Sequence, residues 1–320
     1  DGLADMAGYQ ALVREPIRFT YRGLEILSVP PPSAGGVLLA EMLHMLEPRD
    51  LGALGSGSSA YLHLLAEVMK RAYADRAAFL GDPAFFDVPV TALTSPDYAR
   101  QRMESFDPDH ATPAAAAGPG DPASFERPST THFTIADSEG NVVSNTYTLN
   151  GLYGIGEVLE GRGFLLNNEM DDFSARPSSP NMYGLVGGEA NAVAPGKRML
   201  SSMSPTIVLK EGKPYMALGT PGGGRITTMV LQVILNVVDF GMELQAAVDA
   251  PRCHHQWAPD TLFCEREALP ADVEANLVRR GHTVKVNGPR GDIQAILYDA
   301  AEGLIFGATD ARGYGVALGY

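Results

Sequence analysis

Positive charge is scarce in this chain. Lysine and arginine total 24 against 38 aspartates and glutamates, leaving a formal net charge of −14 over 320 residues. Phosphate backbones bind basic faces, so the deficit argues against a nucleic-acid partner. Cysteine is nearly absent. Cys253 and Cys264 are the only two, and no CxxC spacing supports a zinc knuckle. Two separate thiols are the expectation, a disulfide is the alternative, and cysteine usage leaves the redox compartment open. No apolar run approaches the roughly 20 residues that span a bilayer. The opening DGLADMAGYQ has neither the basic n-region nor the apolar h-region of a signal peptide. It also has no initiator methionine, so the chain is expected to begin inside a longer gene product. A GxSxG elbow, a GxxxxGK[ST] phosphate loop and an internal repeat are all missing. Those absences argue against an α/β-hydrolase, a P-loop enzyme and a repeat architecture.

What is present is a globular composition, 45% hydrophobic, with enough length for a substantial core. IRFTYRGLEILSVP (17–30) alternates as strands do, and PPPSAGG (30–36) is a turn into an amphipathic helix over 36–48. A longer helix is expected over 58–80, capped by Ser58 or Ser59. Residues 106–130 are rich in Pro, Ala, Gly and acids, the composition of an exposed linker or of a segment that must be cut. Beyond 130 the chain turns β-rich. Two hairpins are expected, THFTIAD with NVVSNTYTL, and SPTIVL with PYMALG. The second runs through TPGGGR into a helix over 225–240, so free backbone N–H groups are expected at a helix start.

Pairing arithmetic adds chemistry. If Ala136 faces Val142, antiparallel pairing sets Thr134 against Ser144, His132 against Thr146 and Thr130 against Thr148. The hydroxyls then share one face, while Phe133, Ile135, Val143, Tyr147 and Leu149 form the other, expected to be the core face. The plain alternative is that threonine favours strands. In the second hairpin, pairing Leu209 with Pro214 sets Ser202 beside Pro221 and Ser201 beside Gly222, an anion-binding corner at a helix N-terminus. NNEMDDF (167–173) clusters Glu169, Asp171 and Asp172, a site for an ammonium or a solvated turn. The adjacent histidines of CHHQW (253–257) point opposite ways on an extended chain, which disfavours a metal; no metal and no cofactor are expected.

Together these motifs resemble the γ-glutamyltranspeptidase family of N-terminal-nucleophile hydrolases. PPPSAGG, YADRAAFLGDP, STTHF, TYTLN, LLNNEMDDFS, NMYGLVGGEANAV, LSSMSPTIV, TPGGGR and APRCHHQW follow the family's order over nearly the whole chain. The resemblance implies an α+β fold, the four-layer αββα sandwich. It implies a precursor that cuts itself between Ser129 and Thr130. Residues 1–129 would then be the C-terminal part of a large subunit and 130–320 a small catalytic subunit, in one intertwined domain. Thr130 would be the nucleophile, Thr148 its support, and the N–H groups of Gly222 and Gly223 the oxyanion hole. Asn150, Glu169 and Asp172 would take the substrate ammonium, Ser201 and Ser202 its carboxylate, and Tyr183 would gate a covering loop, 177–188. The implied substrates are glutathione and other γ-glutamyl compounds, with water, amino acids or peptides as acceptors, in a periplasmic or secreted location. The runners-up are a glutaryl-β-lactam acylase, a polyglutamate-cleaving enzyme and an inactive fragment. One departure stands out: the family carries roughly 200 further residues upstream, including a carboxylate-clamping arginine with no counterpart here.

Overall fold

The computed structural model describes residues 7–118, 131–176 and 179–319. Strands β1 (Ile17–Tyr21) and β2 (Leu24–Ser28) alternate buried and less buried positions, as a half-covered sheet requires. They join β5 (Thr206–Lys210), β6 (Lys213–Gly219), β10 (Gln294–Asp299) and β11 (Leu304–Thr309) in a six-stranded antiparallel sheet ordered β1-β2-β5-β6-β10-β11. Segments from before and after the Pro- and Ala-rich run are thus joined in one sheet through the β2–β5 pairing. A second, three-stranded sheet orders β7 (Cys253–His254), β8 (Leu262–Glu265) and β9 (Val284–Asn287).

Helix α1 (Gly35–Leu46) is buried along its whole length, which explains its apolar run. It packs on β1 and β2 and against α2 (Ser59–Phe79) and α3 (Ile226–Val238). Helix α2 starts where Ser58 accepts a hydrogen bond from the Tyr61 N–H. The expected spans 36–48, 58–80 and 225–240 differ from these helices by only a residue or two at most ends. The last helix, α4 (Ala271–Arg279), connects β8 to β9.

Strands β3 (Thr131–Ala136) and β4 (Val142–Tyr147) pair with the expected register, Ala136 against Val142, Thr134 against Ser144 and His132 against Thr146. The faces, however, are reversed. Phe133, Ile135, Val143 and Tyr147 are 40–58% exposed, and the hydroxyl face lies on the six-stranded sheet. Alternation fixes which residues share a face, but not which face is covered. Here the polar face is covered because its hydroxyls find partners. Ser144 donates to the Leu218 carbonyl at 3.0 Å and accepts from the Thr206 N–H at 3.2 Å. Thr134 donates to the Gln294 carbonyl at 3.4 Å.

Two further expectations need correction. The β5–β6 pairing does begin at Leu209 and Pro214, but Val208 faces Met216, so Tyr215 is an extra residue in a bulge. The bulge shifts the partner sum by one, and the regular pairing stops at Thr206 before it reaches the serines. Cys253 and Cys264 are bonded in a disulfide and are not separate thiols. Antiparallel β7 and β8 place them directly opposite one another, with Cα atoms 4.0 Å apart.

Candidate active site

One cleft is lined by Thr148, Asn150, Asp172, Tyr183, Ser201, Ser202, Met203, Gly223 and Ile226. All but Ile226 belong to five separate sequence motifs, and folding brings them to one place. Ser129 and Thr130 lie outside the described residues, as do residues 177 and 178 of the covering loop. The described register ends with Thr131 opposite Tyr147.

Thr148 follows β4 directly, and its hydroxyl accepts the Asn150 N–H at 2.8 Å. That turn puts Asn150 at φ +69° and buries it. The Asn150 amide donates to the Asn168 carbonyl at 3.1 Å, and its own carbonyl accepts the Tyr183 hydroxyl at 2.6 Å. Tyr183 is therefore tied across the cleft to the residue after Thr148's turn.

Glu169 and Asp172 begin and end a single 3-10 turn, Glu169–Asp172. Positions three apart eclipse in such a helix, so these two carboxylates share a side. Asp171 instead accepts from the Met182 N–H at 2.9 Å. Both Glu169 oxygens are buried without a hydrogen-bond partner, and burial pushes its pKa up. Burial, together with the Glu169 charge, raises the Asp172 pKa to about 7, while Arg76 acts to lower it. The Asp172 carboxylate accepts the Asn181 amide at 3.0 Å. The pair is a strained concentration of negative charge that a bound cation would relieve.

Ser201 and Ser202 are held from two directions. The PPPSAGG turn makes a parallel bridge to them: Ser201 N–H donates to Pro32 O and Ala34 N–H to Ser201 O, both at 2.9 Å. Ser33 donates to the Met203 carbonyl at 2.7 Å. From below, Arg76 of α2 donates to the Ser202 hydroxyl at 3.3 Å. Sequence reasoning placed PPPSAGG as a turn and missed this supporting role, whose signal is that the motif and the serine pair both belong to the resemblance.

The glycine loop turns into α3 through a 3-10 turn, Gly223–Arg225. Gly222 and Gly223 have φ of +151° and +54°, and a Cβ on Gly222 would lie 2.2 Å from the Met229 methyl. The positive φ at both positions favours glycine, and the bend leaves the first N–H groups of a helix beside the serines. Tyr73 of α2 donates its hydroxyl to the Gly224 carbonyl and anchors the loop.

CHHQW also acquires a structural role. His254 bonds the Thr228 hydroxyl at 2.8 Å and Gln256 at 2.9 Å, and burial holds its ring neutral. Gln256 then donates to the carbonyls of Tyr183 and Gly184 at 3.2 and 2.9 Å, linking the Tyr183 strap to the start of α3. His132 is likewise neutral, its pKa lowered to about 4 by burial between Thr146 and Thr134. A remote trio, His63, Glu67 and His282, has the composition of a metal site. Its histidine nitrogens bond each other at 2.7 Å, and Glu67 is already paired with Lys70 at 3.0 Å and Arg71 at 2.6 Å. Its histidines are committed to one another and its carboxylate to the two cations.

The γ-glutamyltranspeptidase family model matches residues 2–320. The chain is 46% identical over 308 residues to the glutathione hydrolase proenzyme of Escherichia coli strain K12, covering 96% of this chain and 53% of that protein. It is 43% identical over 317 residues to the Acylase ACY 1 proenzyme of Pseudomonas sp. strain SE83, covering 98% of this chain and 53% of that protein. Among solved structures it matches the cephalosporin acylase from Bacillus halodurans with a TM-score of 0.81 at 28% identity, over 97% of this chain and 53% of that one. The chain spans about half the length of the curated relatives it matches. Its α+β architecture is that of the N-terminal-nucleophile hydrolases among these neighbours. With the model matched from residue 2 to residue 320, the chain belongs to the γ-glutamyltranspeptidase family.

Proposed function

We propose that this chain carries the catalytic centre of an autoprocessing γ-glutamyl hydrolase and transferase that acts on glutathione and related γ-glutamyl compounds. The observation that carries the reading is the pairing of opposite recognition chemistries around one cleft. Asp172, which lines the cleft, and the buried, unpartnered carboxylate of Glu169 on the same turn suit an ammonium, and Ser201 and Ser202 suit a carboxylate. Those are the two ends of a free amino acid.

The chemistry follows from placing a threonine at a chain start. Cleavage between Ser129 and Thr130 would end residues 1–129 as large-subunit sequence and begin a small subunit at Thr130. The freed α-amine, with an ordinary pKa near 8, can take the proton of the Thr130 hydroxyl. The hydroxyl oxygen attacks the γ-carbonyl, and the oxyanion is stabilised by the N–H groups of Gly222 and Gly223. The amide C–N bond breaks, the proton passes to the leaving amine, and a γ-glutamyl ester remains on Thr130. Water or an amino-acid amine then attacks the ester and restores the enzyme. One further step of the β3–β4 register would set residue 130 against Thr148, which supports Thr148 as the partner of the nucleophile. Tyr183, strapped over the cleft from the Asn150 carbonyl, is the gate.

The Cys253–Cys264 disulfide favours an oxidising compartment, in keeping with a periplasmic or secreted enzyme. No helix among the described residues is long and apolar enough to cross a membrane.

The similarity to acylase proenzymes supports one second reading, a glutaryl-amide acylase. A glutaryl group has no α-ammonium, so it would leave the Glu169 and Asp172 carboxylates unused. Turnover of a γ-glutamyl anilide and a glutaryl anilide by the full-length protein separates the two. We expect the γ-glutamyl compound to be the better substrate by at least a hundredfold in kcat/KM, an effect the loss of a charge pair accounts for roughly. Preference for the glutaryl compound would overturn the reading.

A further inference from the structure

We propose that Arg76 is a positioning residue for the amino-acid end of the substrate, a buried cation that aims the Ser202 hydroxyl from beneath the cleft. The inference rests on the reading of the site given above.

Helix α2 buries several charges, and most are matched. Lys70 and Arg71 both pair with Glu67. Arg76 is different. It is only 4% exposed, and among the described residues it has no carboxylate within ion-pair distance. Its Nε is buried without a hydrogen-bond partner, and the Ser202 hydroxyl at 3.3 Å is the side-chain contact it makes. An unpaired buried guanidinium is costly, and guanidinium does not escape by losing its proton.

Two consequences follow from where it sits. Arg76 has donors only, so Ser202 must accept from it. The proton of Ser202 is then left to donate elsewhere, and the cleft is where its hydroxyl is lined up. Ser202 is thereby set as a donor, as a carboxylate ligand requires. The second consequence is electrostatic. Asp172 faces Glu169 and Asp171 on its own turn, and Arg76 is the cation that opposes them. On its own helix, Tyr73 is the titratable group that acts on Arg76. A guanidinium below the cleft thus favours an anion at the serines and an ionised Asp172 at the ammonium end. Tyr73 and Arg76 are three residues apart on one face of α2, and Tyr73 holds the Gly224 carbonyl. One helix turn therefore braces the glycine loop and the serine corner together.

Arg76 does not line the cleft, so its effect must pass through Ser202 and Asp172. The test uses full-length Arg76→Gln and Arg76→Lys, with kcat and KM for a γ-glutamyl anilide measured across pH. Loss of a charged hydrogen-bond donor corresponds to roughly ten- to a hundred-fold in KM. We expect Arg76→Gln to raise KM by that factor with kcat within threefold, and to move the acid limb of kcat/KM to higher pH. Its preference for the γ-glutamyl over the 4-aminobutyryl anilide, which has no carboxylate, should shrink with it. Arg76→Lys should keep the acid limb in place, because it keeps the charge, and still raise KM. If Arg76→Gln does not fold, Arg76→Lys decides alone: KM raised at constant kcat supports the assignment. An active wild type with KM and acid limb unchanged in the variants overturns the role of Arg76 only. A wild type inactive on the γ-glutamyl anilide overturns the reading of the site and this inference with it.

Discussion

At the scale of the residue, Asp172 concentrates the account. Its pKa is held up to about 7, first by burial and then by the neighbouring Glu169 charge. An unfolded aspartate titrates near ~4, so between these values the folded chain holds a proton that the unfolded chain releases. Stability from this group is present in acid and is lost as pH rises through about 7. Asp172→Asn is therefore expected to raise Tm at pH 8 and to leave it nearly unchanged at pH 4, measured by calorimetry. Function should run the other way. The substrate ammonium needs the carboxylate, so wild-type kcat/KM should fall as pH drops below about 7. In Asp172→Asn it should be lower throughout by a rise in KM, with that limb flattened. A variant that keeps the wild-type KM and acid limb would remove Asp172 from the ammonium site. The sequence made this residue visible through its three clustered acids. The cluster alone did not set Asp171 apart, although the family resemblance left it out of the ammonium site; its oxygen is turned to the Met182 N–H by a 3-10 turn that periodicity does not reveal.

At the scale of the element, the hairpins show what pattern can carry and where it stops. The β3–β4 register was readable because a five-residue loop and strict alternation leave few options. The side that faces the core was not. It is decided by carbonyls of β6 and β10, far away in sequence, that satisfy Ser144 and Thr134. In β5–β6 a single extra residue, Tyr215, shifts the register, and nothing in its composition announces a bulge. Cys253 and Cys264 are bonded because β7 and β8 bring them opposite, which spacing alone left open. A cross-link over so short a loop typically contributes about 2–3 kcal/mol. Cys264→Ser is expected to lower Tm by several degrees while KM stays near wild type; an unchanged Tm would show that the link adds nothing to stability. The glycine loop is the element most exposed to change. Gly222→Ala must place a Cβ at φ +151° against Met229, so its N–H should leave the position it needs. We expect kcat to fall by about 100- to 1000-fold with a smaller change in KM, the pattern of a lost oxyanion donor. Wild-type kcat in this variant would exclude the loop from the chemistry.

At the scale of the whole molecule, the cleft is assembled from parts that the chain order keeps apart. PPPSAGG and α2 precede the Pro- and Ala-rich run, yet they hold Ser201, Ser202 and Gly224, which follow it by some 70 residues or more. Cutting the chain between Ser129 and Thr130 would leave these contacts in place, since strands from both sides share the six-stranded sheet. A cleaved enzyme can therefore remain one folded unit. The central claim is that this cut makes the catalyst. Intact-mass measurement of the purified full-length protein, paired with its rate on a γ-glutamyl anilide, tests it most directly. We predict a small fragment whose first residue is Thr130 in the active wild type, and a single uncut, inactive chain in Thr130→Ala. A wild-type protein that turns over the anilide while remaining one uncut chain would contradict the account.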